Sequence, residues 1–142
     1  MRANHRLVIE AAYASWAAGD LETTLACFAR GVQFVVHSTP DAPSYVGQGC
    51  GRHLLAPRLA LFLTDFDVVA CDVRHIGERK DGSLDYKVGY AYRHKRTGLA
   101  IDGSMRHKWR VLGDKIVSFD LFHDARRMAV YYEMIARADM LV

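Results

Sequence analysis

Two periods divide the hydrophobic positions of this chain. From about Asn4 to Ala18 the apolar side chains Ile9, Ala12, Tyr13 and Trp16 recur at helical spacing and predict a helix with one apolar stripe. Gly19 stops it, and Asp20 is placed to cap a second short helix with Glu22 in its first turn and Leu21, Leu25 and Phe28 on one side. Val32 to His37 is β-branched and aromatic and predicts a strand. It runs into a loop from Ser38 to Pro43, which Gly47, Gly49 and Gly51 prolong. A third helix follows with Leu55, Leu59 and Phe62 on one side, and Pro57 either kinks it or stands near its start.

From Phe66 the period becomes two. Val69, Cys71, Val73 and His75 share one side of a strand, Asp81-Gly82 marks a hairpin turn, and Leu84, Tyr86, Val88, Tyr90 and Tyr92 share one side of the next. After Thr97-Gly98, the residues Ile101, Gly103, Met105, His107, Trp109 and Val111 lie on one face, and Gly113-Asp114 turns into a strand from Ile116 to Phe122. Asp124 then caps a last helix whose stripe is Met128, Tyr131, Tyr132 and Ile135. Helices first and hairpins second predict an α+β fold. In it a curved antiparallel sheet of about six strands wraps around the N-terminal helices, in one domain spanning residues 1–142.

Composition narrows the function classes. With 142 residues, 51% hydrophobic and 25% charged, the chain is able to bury a full core. It contains no apolar run of membrane-spanning length, and its start, Met1 to Arg6, lacks the apolar stretch of a signal peptide, so a cytoplasmic location is expected. Cys27, Cys50 and Cys71 are odd in number and scattered, which predicts buried, reduced thiols rather than disulfides or a zinc site. A net charge of +3 implies no polyanionic partner. The basic clusters Arg93 to Arg96 and Arg106, Lys108 and Arg110 read as solvated faces, and no nucleic-acid partner is expected.

The two ends of the chain carry a resemblance. Tyr13-Ala-Ser-Trp16-Ala-Ala-Gly19-Asp20-Leu21 near the start, and His107-Lys-Trp109-Arg-Val111-Leu-Gly113-Asp-Lys115-Ile116 near the end, resemble the NTF2-like cone, with the SnoaL-like group the nearest in look. The resemblance implies a cone with one end closed and a pocket at the other. It also implies a homodimer through the outer sheet face, which fits Phe34-Val35-Val36, apolar on both sides.

Candidate chemistry follows from that frame. His107-x-Trp109-x-Val111 falls where the related ketosteroid isomerases have an acid-x-aromatic-x-apolar run, so the resemblance implies that His107 donates to a developing oxyanion. The alternative is a core histidine bonded to a neighbour. Asp120 sits mid-strand among bulky apolar residues, where an unpaired carboxylate is costly. SnoaL-like cyclases carry a general base at a comparable place, so Asp120 would take a proton α to a carbonyl while His107 supports the enolate. Alternatively Asp120 faces solvent or pairs with an arginine such as Arg126.

His37, at the end of the first strand, and His75, whose surroundings resemble a stretch of the scytalone-dehydratase-like members, are candidates to orient a substrate oxygen. Tyr90, Trp16 and Trp109 are candidate pocket walls or core residues. Ala12 and Val36 stand where ketosteroid isomerases have their oxyanion tyrosine and their base, with Tyr13 about 100° around the helix from the tyrosine position, which disfavours that mechanism. No phosphate loop, metal motif or dinucleotide fingerprint is present, and no cofactor or metal is expected. Two functions stay open: a cofactor-independent acid–base enzyme of cyclase, isomerase, dehydratase or hydrolase type acting on a small apolar carbonyl compound, and a non-catalytic ligand-binding or dimerisation module. A cone filled by Trp16, Tyr90 and Trp109 would favour the module.

Overall fold

The structure, a computed structural model, describes residues 2–37 and 44–140, so the predicted loop from Ser38 to Pro43 lies outside the described residues. The elements are α1 (Arg2–Ala17), α2 (Leu21–Ala26), β1 (Phe28–His37), β2 (Gln48–Cys50), α3 (Arg52–Asp65), β3 (Phe66–Glu78), β4 (Leu84–His94), β5 (Ala100–Leu112), β6 (Lys115–His123) and α4 (Ala125–Met140). The strands form one six-stranded sheet in the order β2-β1-β6-β5-β4-β3. All neighbours pair antiparallel except β1 and β6, which pair parallel. No helix among the described residues is long and apolar enough to cross a membrane.

Local chemistry explains most boundaries. Asp20 caps α2, its carboxylate accepting from Thr23 N at 3.1 Å, and Asp124 caps α4, accepting from Arg127 N at 3.2 Å. Along β4 the residues Leu84, Tyr86, Val88, Tyr90 and Tyr92 are all buried, as their alternation predicts. On β5 the predicted face holds as well, with Ile101, His107, Trp109 and Val111 buried.

Four expectations are corrected. The first strand starts earlier, at Phe28, because Phe28 pairs with Ile116 of β6 before a register shift; Phe28 therefore belongs to β1 and not to the stripe of α2. The stretch read as a continued loop contains β2, whose glycine content hides a strand. Gly49 crosses the Phe34 ring so closely that a Cβ there would lie 2.9 Å from Phe34 Cζ. On β3 a bulge between Val68 and Ala70 ejects Val69, which is 59% exposed, while Cys71, Val73 and His75 keep the inner face. Cys50 is exposed and Cys27 and Cys71 are half-buried, all three as free thiols. Pro57 lies inside α3, which begins at Arg52.

Two apolar clusters fill the curve of the sheet. In one, α1 places Ile9, Ala12 and Tyr13 against Phe28, Phe34, Tyr86, Trp109 and Phe119. In the other, α4 places Met128, Tyr131 and Ile135 against Phe66, Tyr90, Tyr92 and Ile101. The close pass of Gly49 over Phe34 yields a prediction. Gly49→Ala should lower unfolding stability by about 1–3 kcal/mol through overpacking. Gly31→Ala, where a Cβ meets nothing within 4 Å, should change it by less than about 0.5 kcal/mol. Urea denaturation of both variants checks the contrast.

Candidate functional site

Between the two clusters lies a cavity of about 160 Å³. Its wall is mostly apolar and takes Ala12, Tyr13 and Trp16 from α1, Phe62 from α3, Tyr90 and Tyr92 from β4, Met105, His107 and Trp109 from β5, Phe119, Leu121 and His123 from β6 and Met128 from α4. Trp16, Tyr90 and Trp109 thus line the space without filling it. Tyr90 is held in the wall by its hydroxyl, which reaches Met128 Sδ at 3.6 Å, and Trp16 by stacking on Phe62 with ring centroids 5.7 Å apart. Gly103 makes room for Tyr90, since a Cβ there would meet its hydroxyl at 2.7 Å.

His107 is buried and faces the cavity, hydrogen-bonded through Nδ1 to the Tyr13 hydroxyl. Trp109 Nε1 donates to that same hydroxyl at 2.8 Å. An indole nitrogen can only donate, so Tyr13 Oη accepts from Trp109 and spends its own proton on His107 Nδ1. The opposite arrangement, with Nδ1 protonated, would leave the buried tyrosine hydroxyl proton without an acceptor. The relay therefore assigns the proton of neutral His107 to Nε2. That atom is buried and has no hydrogen-bond partner among the described residues. Burial pulls the His107 pKa down from its ordinary 6.5 to about 3 and, opposed in part by the Trp109 hydrogen bond, pushes that of Tyr13 up. Both groups are neutral at physiological pH.

Asp120 does not reach this cavity. On β6 the cavity residues are Phe119, Leu121 and His123, whereas Asp120 lies with Gly31, Gln33, Lys108 and Arg110 in a shallow depression on the outer face. Its partner is neither solvent alone nor Arg126 but His37, whose Nε2 stands 3.2 Å from Asp120 Oδ1. His37 also stacks on Phe122, ring centroids 4.1 Å apart, and so belongs to the outer face instead of the pocket. The expectation that Asp120 and His107 converge is overturned, because the sheet stands between them. The His37–Asp120 pair is half-exposed and worth at most about 1 kcal/mol. His75 lies beside Tyr86, ring centroids 5.1 Å apart, and is not part of the cavity wall.

Two wall residues escaped the sequence reading. Tyr13 belongs to the predicted apolar stripe but stands about 100° from the isomerase tyrosine position; an apolar helix face is at least that wide, and Ala12 and Tyr13 both reach the cavity. His123 follows Phe119 and Leu121 at alternate positions of β6, on the inner face to which the irregularity at Val117 turns them. Its Nδ1 is buried without a hydrogen-bond partner among the described residues. No aspartate or glutamate lines the cavity among those residues, and none of them gather into a set of three His, Cys, Asp or Glu side chains suited to a metal ion.

No family profile and no curated protein matches this sequence. Solved structures do match its fold. An NTF2-like protein from Burkholderia xenovorans LB400 superposes with a TM-score of 0.70 at 17% identity, over 89% of this chain and 94% of its own. A proposed SnoaL-like polyketide cyclase from Mesorhizobium loti gives 0.65 at 13% identity, over 83% and 97%. A protein of ketosteroid isomerase-like fold from Catenulispora acidiphila DSM 44928, in complex with trimethylamine, gives 0.64 at 16% identity, over 82% and 85%. The chain has the NTF2-like fold.

The His107 environment sets a pH dependence. Above pH 6.5 the imidazole is neutral folded and unfolded; between 6.5 and about 3 the unfolded chain takes a proton that the folded chain refuses. Stability should therefore fall as pH falls through that window, by about 1.4 kcal/mol per unit on account of this group. Urea denaturation from pH 7 to 4 should show the extra slope in the wild type and not in His107→Gln.

Proposed function

We propose that this protein is a SnoaL-like small-molecule pocket protein. Its cavity takes a small, mostly apolar compound whose carbonyl oxygen accepts a hydrogen bond from His107 Nε2. The observation that carries the reading is that buried N–H, on a residue of the apolar cavity wall and with no partner among the described residues. Leaving a buried donor unmade costs about 1–3 kcal/mol, and an acceptor oxygen brought by a ligand returns that energy. The size of the space supports a ligand of about one ring, since a cavity of similar volume holds benzene. Neutral His107 and Tyr13 favour an uncharged acceptor over a carboxylate, which would be buried without a counter-charge. The Catenulispora neighbour, captured with trimethylamine, supports the small-molecule part of the reading.

An acid–base enzyme of cyclase, isomerase, dehydratase or hydrolase type needs a base beside the bound carbonyl, and Asp120 is on the wrong face to be one. Ligand binding is the form that the geometry supports without any further assumption. A homodimer through the outer face belongs to the same proposal. Phe122 is 44% exposed there, and a large exposed ring on a sheet face is what a second copy would cover. Sedimentation equilibrium should show a dimer that Phe122→Asp converts to monomer; a monomeric wild type removes this part.

The pocket is tested with cyclohexanone and its hydrocarbon isostere methylenecyclohexane, titrated by NMR into the wild type and into His107→Phe. Comparing ligand ratios between the two proteins cancels the different hydration of the ligands. The ratio of dissociation constants should shift by about tenfold against the ketone in the variant, the worth of one buried hydrogen bond. An unchanged ratio, or no binding of either compound, would remove His107 from its assigned role.

A further inference from the structure

We propose that the Tyr92 hydroxyl is a second polar anchor of the cavity, and that the compound bound there carries two oxygens at opposite ends of one ring, one facing His107 and the other Tyr92. The inference rests on the reading of the cavity as a carbonyl site and names the class of compound that the site selects.

A buried tyrosine hydroxyl ordinarily finds a partner. Five of the seven tyrosines follow that rule: Tyr13, Tyr45, Tyr86, Tyr90 and Tyr131 each donate to another atom of the protein. Tyr132 and Tyr92 make no hydrogen bond among the described residues, and of the two Tyr92 is the buried one, at 9% exposure. Its oxygen is not sealed and keeps accessible surface. Tyr92 lines the cavity from the inner face of β4, which lies between β3 and β5, so that surface belongs to the cavity.

The hydroxyl is also held in place. Its ring stacks on Tyr90 with centroids 4.8 Å apart and meets Phe62 edge-on at 5.0 Å. A phenylalanine would make the same ring contacts without leaving a polar atom unmatched. The oxygen is therefore left for a group that enters the cavity, and the packing of the ring orders it in advance.

Position and charge define that group. Tyr92 pairs with Ile101, whereas His107 pairs with Tyr86 further back along β4, which puts the two polar groups toward opposite ends of the cavity. The hydroxyls of Tyr13 and Tyr92 are still close enough for the charge of one to raise the pKa of the other, so a one-ring compound spans the gap. Burial raises the pKa of Tyr92, and the nearby Cys71, Tyr90 and Tyr132 add to it, so the hydroxyl keeps its proton and offers it. With no lysine or arginine in the wall among the described residues, a carboxylate or phosphate would lack a counter-charge. A second carbonyl, a hydroxyl or an ether oxygen fits.

The test uses two ligands that differ only at the far oxygen, 1,4-cyclohexanedione and 4-methylenecyclohexanone, titrated by NMR into the wild type and into Tyr92→Phe. Comparing the ratio of dissociation constants between the two proteins cancels the different hydration of the ligands. The preference for the dione should be about tenfold greater in the wild type than in the variant, the worth of one buried hydrogen bond. Thermal melts without ligand give a second readout: Tyr92→Phe should melt no lower than the wild type, because it loses no bond within the protein. A lower melting temperature assigns the hydroxyl to the fold and overturns the inference. An unchanged ratio, or a dione that fails to bind where cyclohexanone binds, overturns the second anchor and leaves the pocket standing. If neither cyclohexanone nor the dione binds the wild type, the pocket reading falls and this inference with it.

Discussion

The hydroxyl of Tyr13 receives one hydrogen bond and gives another, and the arrangement of the cavity depends on that exchange. Trp109 and His107 stand two residues apart on β5 and so present the indole and the imidazole to the same side. Only a group that both accepts and donates can satisfy them together, and a tyrosine reaching from α1 is such a group. The position of α1 against the sheet is thus tied to the chemistry of the wall. Ile9 and Ala12 bury their apolar surface against the sheet, and Tyr13 comes to rest where its hydroxyl closes the pair. Water is kept from all three groups, which holds both His107 and Tyr13 in their uncharged forms.

A dry wall with one committed donor differs in kind from the polar depression on the other face of the same sheet. There Lys108, Arg110, Asp120 and His37 meet solvent, and their mutual attractions are weakened by it. The inner face carries fewer polar atoms, each held by a specific partner or left conspicuously without one, and in a low-dielectric setting those few atoms count for more. The proposed function is therefore placed on the inner face by burial and unmet hydrogen-bonding capacity, not by the number of charged side chains.

The long alternating strands were legible in the sequence because a sheet face packed on a core demands period two, and β4 and β5 satisfy it without interruption. The caps at Asp20 and Asp124 were legible for a local reason, the reach of a short carboxylate to the next turn. Other features depend on partners distant in the chain. The parallel pairing of β1 with β6 leaves no trace in either strand, and β2 is concealed by Gly49, which its contact with Phe34 requires. The face on which Asp120 lies turns on one residue. Val117 is an extra residue in β6: Arg110 pairs with Ser118, but Val111 pairs with Ile116. Counting in twos from Ile116 puts Asp120 inward and His123 outward, and the bulge reverses both assignments, turning Phe119, Leu121 and His123 to the cavity.

The protonation pattern of His107 is the central claim, since the cavity offers a donor to a ligand oxygen only if the proton sits on Nε2. Long-range ¹H–¹⁵N NMR of the ¹⁵N-labelled protein reads it directly. At pH 7, and still at pH 5, His107 should show a protonated Nε2 and an unprotonated, hydrogen-bonded Nδ1. A proton on Nδ1, or an imidazolium at pH 5, would contradict the account.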